Sequence, residues 1–203
     1  MGAEALHRRA EKPWRQLVRE ALRERDPESV IALLEPLTTE RRRATLKRVI
    51  EARVGAVTLV MDAPHDPHNG AAVLRSCDAF GVGMVHVVER REAFSISNAV
   101  ARGTEQWVDV LRHASVDDAV THLRGDGFTL MGTHPEGELA PDELATIDRL
   151  ALVMGNEHDG IAAELADACD GRVRVPMRGY VESLNVSVTA AILLNAATSS
   201  RSG

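Results

Sequence analysis

The chain has 203 residues, 44% of them hydrophobic and 27% charged, with a formal net charge of −6. That composition excludes a disordered polar chain and allows one sizeable domain with its own core plus a small extension. No run of membrane-spanning length appears and no apolar run follows a basic start, so a soluble cytoplasmic protein is expected, with no membrane partner.

The negative total hides an asymmetry. Residues 1–53 hold 13 Lys+Arg against 9 Asp+Glu, a net of +4, whereas residues 54–203 hold 11 against 21, a net of −10. The two parts are expected to be a helical N-terminal extension, 1–53, and an α/β domain, 54–203. Phosphate binding needs local rather than total positive charge, so Arg41, Arg42, Arg43, Lys47 and Arg48 are candidate nucleic-acid phosphate contacts. A solvated helix face is the plainer explanation of the same run. Two cysteines, Cys77 and Cys169, supply neither a disulfide framework nor a zinc site. His65 and His68 stand in a Pro-rich turn that reads as a hydrogen-bonded loop, and no metal is expected.

In chain order, residues 3–25 carry Trp14, Leu17, Val18, Ala21 and Leu22 at helical spacing. Asp26-Pro27 breaks that pattern, and Ser29 to Leu34 suggests a short helix before Pro36. Thr38-Thr-Glu-Arg starts another, with Ala44, Leu46, Val49 and Ile50 as its apolar stripe through about Arg53. Val57 to Met61 is a short apolar strand. It runs into a Pro/His/Asp loop, where Asn69 can cap a helix that extends to about Phe80 and stops at Gly81. Met84 to Val88 is a strand, Ser95 to Ala101 a short helix, Trp107 to Leu111 a strand and Val116 to Leu123 a helix. Phe128 to Met131 is a strand ending in Gly132-Thr133-His134. Strands at Leu150 to Met154 and Val173 to Val175 follow. After Pro176 and a glycine-bearing loop, Ser183 or Asn185 can cap a helix over Val186 to Leu194 that is small or apolar almost all round. Strands alternating with helices argue a mainly parallel sheet covered on both faces. No G-x-G-x-x-G follows the first strand, which weighs against a Rossmann dinucleotide site.

Three stretches concentrate polar groups where α/β sheets carry their sites, at the carboxyl ends of strands. They are Asp62-Ala-Pro-His-Asp-Pro-His-Asn-Gly-Ala-Ala-Val-Leu-Arg75, Leu152-Val-Met-Gly-Asn-Glu157-His-Asp-Gly160 and Val175-Pro-Met-Arg-Gly-Tyr-Val-Glu-Ser-Leu-Asn-Val-Ser187. In order, in spacing and nearly residue by residue, they resemble the three motifs of the SPOUT class of RNA methyltransferases, in the SpoU/TrmH branch that methylates ribose 2′-hydroxyls. The resemblance covers about Thr38 to Arg201.

The resemblance implies a SPOUT fold with a C-terminal trefoil knot, which periodicity could never propose. It also implies S-adenosyl-L-methionine as cofactor, RNA as partner, and a homodimer through the knot helices in which each active site combines both subunits. Arg75 matches the catalytic arginine of these enzymes, Asn69 and Glu157 their organising polar residues, and Ser183 and Asn185 their third motif. Backbone groups of Thr133, Met154, Gly155, Val175, Met177 and Leu184 match the cofactor contacts. Tyr180 stands where many relatives have Met, and His158-Asp159 replaces a more usual Lys-x pair. Likeness through the linking segments favours tRNA, at guanosine 18 of the D-loop. Ribosomal RNA is the alternative target, and a catalytically silent RNA-binding dimer the reading from another class.

Overall fold

A computed structural model describes residues 25–90, 103–104 and 107–201 of the chain. The helices expected over 3–25 and 95–101 lie outside these residues. The chain divides into two compact units, 1–50 and 51–203. In the first, α1 spans Pro27–Leu34, with Asp26 accepting from the Ser29 backbone N–H and Pro27 in the first turn, where its missing N–H costs nothing. A 3₁₀ turn, Glu35–Leu37, leads to α2, Glu40–Glu51. Thr39 caps α2 through a hydrogen bond from the Arg42 N–H to its hydroxyl, 3.3 Å.

The second unit holds a six-stranded sheet: β1 Val57–Asp62, β2 Met84–Val88, β3 Asp109–His113, β4 Thr129–Thr133, β5 Leu150–Met154 and β6 Gly171–Val173. The order is β3-β2-β1-β5-β4-β6, and every strand pairing is parallel. β1 and β5 are buried at every position, because a central parallel strand is covered on both faces and needs no polar side. Successive residues point to opposite faces, so Leu59 and Leu152 enter one core while Val60 and Val153 enter the other. On the first face lie α3, Pro67–Ala79, and α6, Val186–Thr198, which pack on each other through Val73, Leu74, Leu193 and Leu194. On the second lie α4, Val116–Gly125, and the short α5, Ala163–Asp167, through Ala119, Leu123 and Leu165. Each fully buried leucine contributes roughly 2 kcal/mol of apolar transfer free energy.

Several element ends differ from expectation. Asp66, not Asn69, caps α3, accepting from the His68 N–H at 2.8 Å, which frees the Asn69 side chain for other partners. Gly81 does stop the helix; its φ is +79°, and a Cβ there would lie 2.6 Å from the Ala52 carbonyl oxygen. β3 starts two residues later than its apolar pattern suggests, since the Trp107 N–H turns back to the Thr104 carbonyl. β6 ends at Val173, because the Arg174 N–H bonds Leu139 and the Val173 carbonyl accepts from His134, so the 134–140 loop replaces β4 as partner. α5 and a 3₁₀ turn at Pro141–Thr146 are too short to show a period in sequence.

Candidate active site

Strand order reverses between β1 and β5, and an open parallel sheet leaves a crevice beyond the strand ends at such a point. The chain bends sharply there. Ala63, directly after β1, has φ +43°, a left-handed conformation that costs a non-glycine residue about 1–2 kcal/mol. The buried Asp62 carboxylate receives Arg90 bidentately, 2.9 and 3.0 Å, and the Ala162 N–H at 2.7 Å. That last bond ties the loop after β5 to the end of β1.

The same loop is closed on itself. Asn156 and Gly160 exchange backbone hydrogen bonds of 3.2 Å, and Asn156 Oδ1 accepts from the His158 and Asp159 N–H groups at 2.9 and 2.8 Å. Only glycine fits at 155, where a Cβ would fall 2.2 Å from the carbonyl carbon of Gly160. This tight turn presents Glu157 outward.

Glu157 accepts a short hydrogen bond from Asn69 Nδ2. Asn69 Oδ1 in turn accepts from Asn185 Nδ2 at 3.1 Å. Asn185 Oδ1 caps α6, accepting from the Ser187 N–H at 2.9 Å and its hydroxyl at 2.7 Å. One hydrogen-bonded chain thus joins residues 69, 157 and 185, which lie 88 and 116 positions from residue 69.

Beside this chain is a cavity of about 430 Å³, inside the roughly 300–1,000 Å³ typical of small-molecule sites. Thr133, Met154, Gly155, Val175, Met177 and Leu184 all line it, as do Glu157, Ser183 and Asn185. Asn69 lines an adjoining small crevice with Asp62, Gly155 and Glu157. Arg75 is exposed on α3 and lines neither. Its six-residue spacing from Asn69 turns it about 120° around the helix. Arg41, Arg42, Arg43, Lys47 and Arg48 lie on α2 in the first unit. Arg43 bonds the Glu40 carboxylate and, at 3.1 Å, the Glu35 carbonyl. Among the described residues no group of His, Cys, Asp or Glu is arranged to hold a metal, and no helix is long and apolar enough to cross a membrane. Cys77 is wholly buried and its thiol is pushed up to about 12 by burial, so it is packing rather than a nucleophile.

Sequence reasoning assigned no role to Asp62 or Asn156. Asp62 closes a strand and Asn156 falls between the glycine and the glutamate of the second stretch, so position alone could have marked both.

The donor set fits a nucleoside cofactor. Apolar walls from Met154, Val173, Val175 and Leu193 can sandwich an adenine ring. Strand-end residues Thr133, Met154 and Val173 line the same space, and beside them the buried Asn156 Nδ2 has no hydrogen-bond partner among the described residues.

Residues 56–195 match the model of the SpoU rRNA Methylase family. The tRNA (guanosine(18)-2'-O)-methyltransferase of Thermus thermophilus is 35% identical over 158 residues, 77% of this chain and 81% of that protein. The enzyme of the same name from Escherichia coli is 34% identical over 154 residues, 75% of this chain and 67% of that one. Among solved structures, the A. aeolicus TrmH/SpoU tRNA modifying enzyme superposes with a TM-score of 0.72 at 28% identity, covering 79% of this chain and 82% of that one. An AdoMet-bound rRNA methyltransferase from Sinorhizobium meliloti gives 0.63 at 28% identity over 74% and 58% of the two chains.

Proposed function

The chain belongs to the SpoU rRNA methylase family, and we propose that within it the protein methylates the ribose 2′-hydroxyl of guanosine 18 in the D-loop of tRNA, using S-adenosylmethionine. The observation that carries this reading is the Glu157–Asn69–Asn185 chain at the mouth of the cavity. The relatives named for that nucleotide favour tRNA.

S-adenosylmethionine supplies a methyl group already activated on a positive sulfonium. The protein has to hold the hydroxyl in line with that methyl, assist loss of its proton and exclude water. Asn69 fixes Glu157 through its amide N–H and is itself fixed by Asn185, so the three polar groups cannot rotate independently. Ser183 stands with them at the cavity wall. A guanidinium stays protonated near neutrality, so Arg75 acts as a donor, holding an RNA phosphate and the hydroxyl. Thr133, Met154, Gly155, Val175, Met177 and Leu184 hold the cofactor.

The trefoil knot is part of the same proposal. It is supported by the 134–140 loop, which bonds Arg172, Val173 and Arg174 just before the chain continues to α6. So is the homodimer, supported by exposed apolar Val188 and Ile192 one turn apart on α6, with Tyr180 and Val181 exposed nearby in sequence. Residues 1–53 are the N-terminal extension, of which 25–53 are described, and its α2 carries the phosphate-binding arginines and lysine. A tRNA substrate places the enzyme in the cytoplasm.

The test is tritiated S-adenosylmethionine with unmodified tRNA and with ribosomal RNA, followed by nuclease mapping. Label at the D-loop guanosine of tRNA, abolished in Arg75→Ala, is the expected result. Label confined to ribosomal RNA would overturn the substrate. Absence of cofactor binding would overturn the reading altogether.

A further inference from the structure

We infer that the side-chain amide of Asn156 is a donor to the bound cofactor, an inference that rests on the S-adenosylmethionine reading. Asn156 is 7% exposed. Its Oδ1 accepts from two backbone N–H groups, those of His158 and Asp159. Two donors on that atom settle the amide's orientation, so the opposite atom is Nδ2 with both hydrogens. Nδ2 is the one buried side-chain polar atom among the described residues that lacks a hydrogen-bond partner. Buried donors are nearly always satisfied, and leaving one unmade is costly.

Its location says what satisfies it. Asn156 lines both the cavity and the adjoining crevice that holds Asp62 and Asn69. Turn geometry does not explain the residue type. An aspartate would accept from the same two N–H groups, but would set a third carboxylate beside Asp62 and Glu157. The amide keeps the turn and presents a neutral donor instead. The acceptors a nucleoside–amino-acid cofactor offers are its ribose hydroxyl oxygens and its carboxylate, and Asn156 takes one of them.

The experiment is calorimetric titration of wild type and Asn156→Asp with S-adenosylhomocysteine and with 5′-methylthioadenosine, which has the ribose but no carboxylate. Nitrogen–proton spectra of the side-chain amides accompany it. The Asn156 pair is identified by its absence in the variant. Expected is a loss of affinity of about tenfold or more for S-adenosylhomocysteine in the variant, read at a temperature where both proteins are folded. In wild type the Nδ2 pair should shift on titration. A penalty kept with methylthioadenosine assigns the acceptor to the ribose; one seen only with S-adenosylhomocysteine assigns it to the carboxylate. Affinity within twofold of wild type, or an Nδ2 pair unmoved on saturation, would mean that water satisfies the amide and would overturn the inference alone. Failure of wild type to bind either ligand would overturn the cofactor reading first, and this inference with it.

Discussion

Asn69 donates to Glu157 and accepts from Asn185, so it is the only link between the second and third motifs in that chain of hydrogen bonds. Replacing it by alanine leaves Glu157 without its orienting donor and Asn185 without its acceptor. The expected outcome is a fall in kcat of about 10²–10³-fold, the scale for losing one organised donor at a reacting centre. Cofactor affinity should be little changed, because Asn69 does not line the larger cavity. Single-turnover methylation and calorimetry separate the two.

A second residue-scale expectation concerns the buried pair His86 and His113. Asp118 accepts from His113 Nδ1 at 2.9 Å, so His113 Nε2 accepts from His86 Nδ1–H, also at 2.9 Å. Burial, and then His113 and His122, push His86 down from 6.5 to about 4. Between those values the unfolded chain binds a proton that the folded chain does not. The contribution is therefore complete above about pH 6.5 and is lost as pH falls towards 4. Urea midpoints should decline across that window, and the His86 ring resonances should not titrate between pH 7 and 5.

At the scale of elements, α6 starts on a side chain with two jobs. Asn185 caps the helix and also donates to Asn69. Asn185→Ala should lose about 1 kcal/mol of stability as well as activity. Asn185→Asp keeps the cap and removes the donor, so it should unfold like wild type yet methylate poorly. The loop after β5 makes a steric prediction. Gly155→Ala would drive a Cβ to 2.2 Å from Gly160, forcing the turn open at a cost of about 1–3 kcal/mol. Reduced affinity for S-adenosylhomocysteine should accompany the lower urea midpoint. On α2, Arg43 is engaged with Glu40 and Glu35, so Arg41 and Arg48 are the better phosphate ligands. Replacing Arg41 and Arg48 with alanine should reduce the salt slope of tRNA binding by roughly 0.7–0.9 for each phosphate no longer neutralised.

For the whole molecule, Val188 and Ile192 leave an apolar turn exposed on a helix whose opposite side is packed on α3. In solution the protein should scatter light as twice its 22.0 kDa chain mass. Ile192→Asp should return it to a monomer, and should abolish methylation if the site combines both subunits.

Much of this was legible in the residues. The apolar strands, the helix stop at Gly81 and the polar clusters at strand ends follow from period, turn chemistry and burial, all of which act locally. The three motifs identified the chemistry only through their resemblance to the SPOUT class; spacing by itself showed polar groups at strand ends and no more. What sequence could not decide was who partners whom across the fold. Asn69 was the cap expected for α3, and Ser183 or Asn185 for α6; Asp66 took the first place and Asn185 the second, leaving Asn69 to meet Glu157 88 residues away. Val173 to Val175 read as a strand, but the 134–140 loop captured Arg174 and ended it. Asn156 read as one polar residue among four, and only closure of its turn left a buried amide without a partner on a residue that lines the cavity. Hydrogen-bond partners and desolvation belong to packing between distant segments, and neither leaves a trace in local spacing.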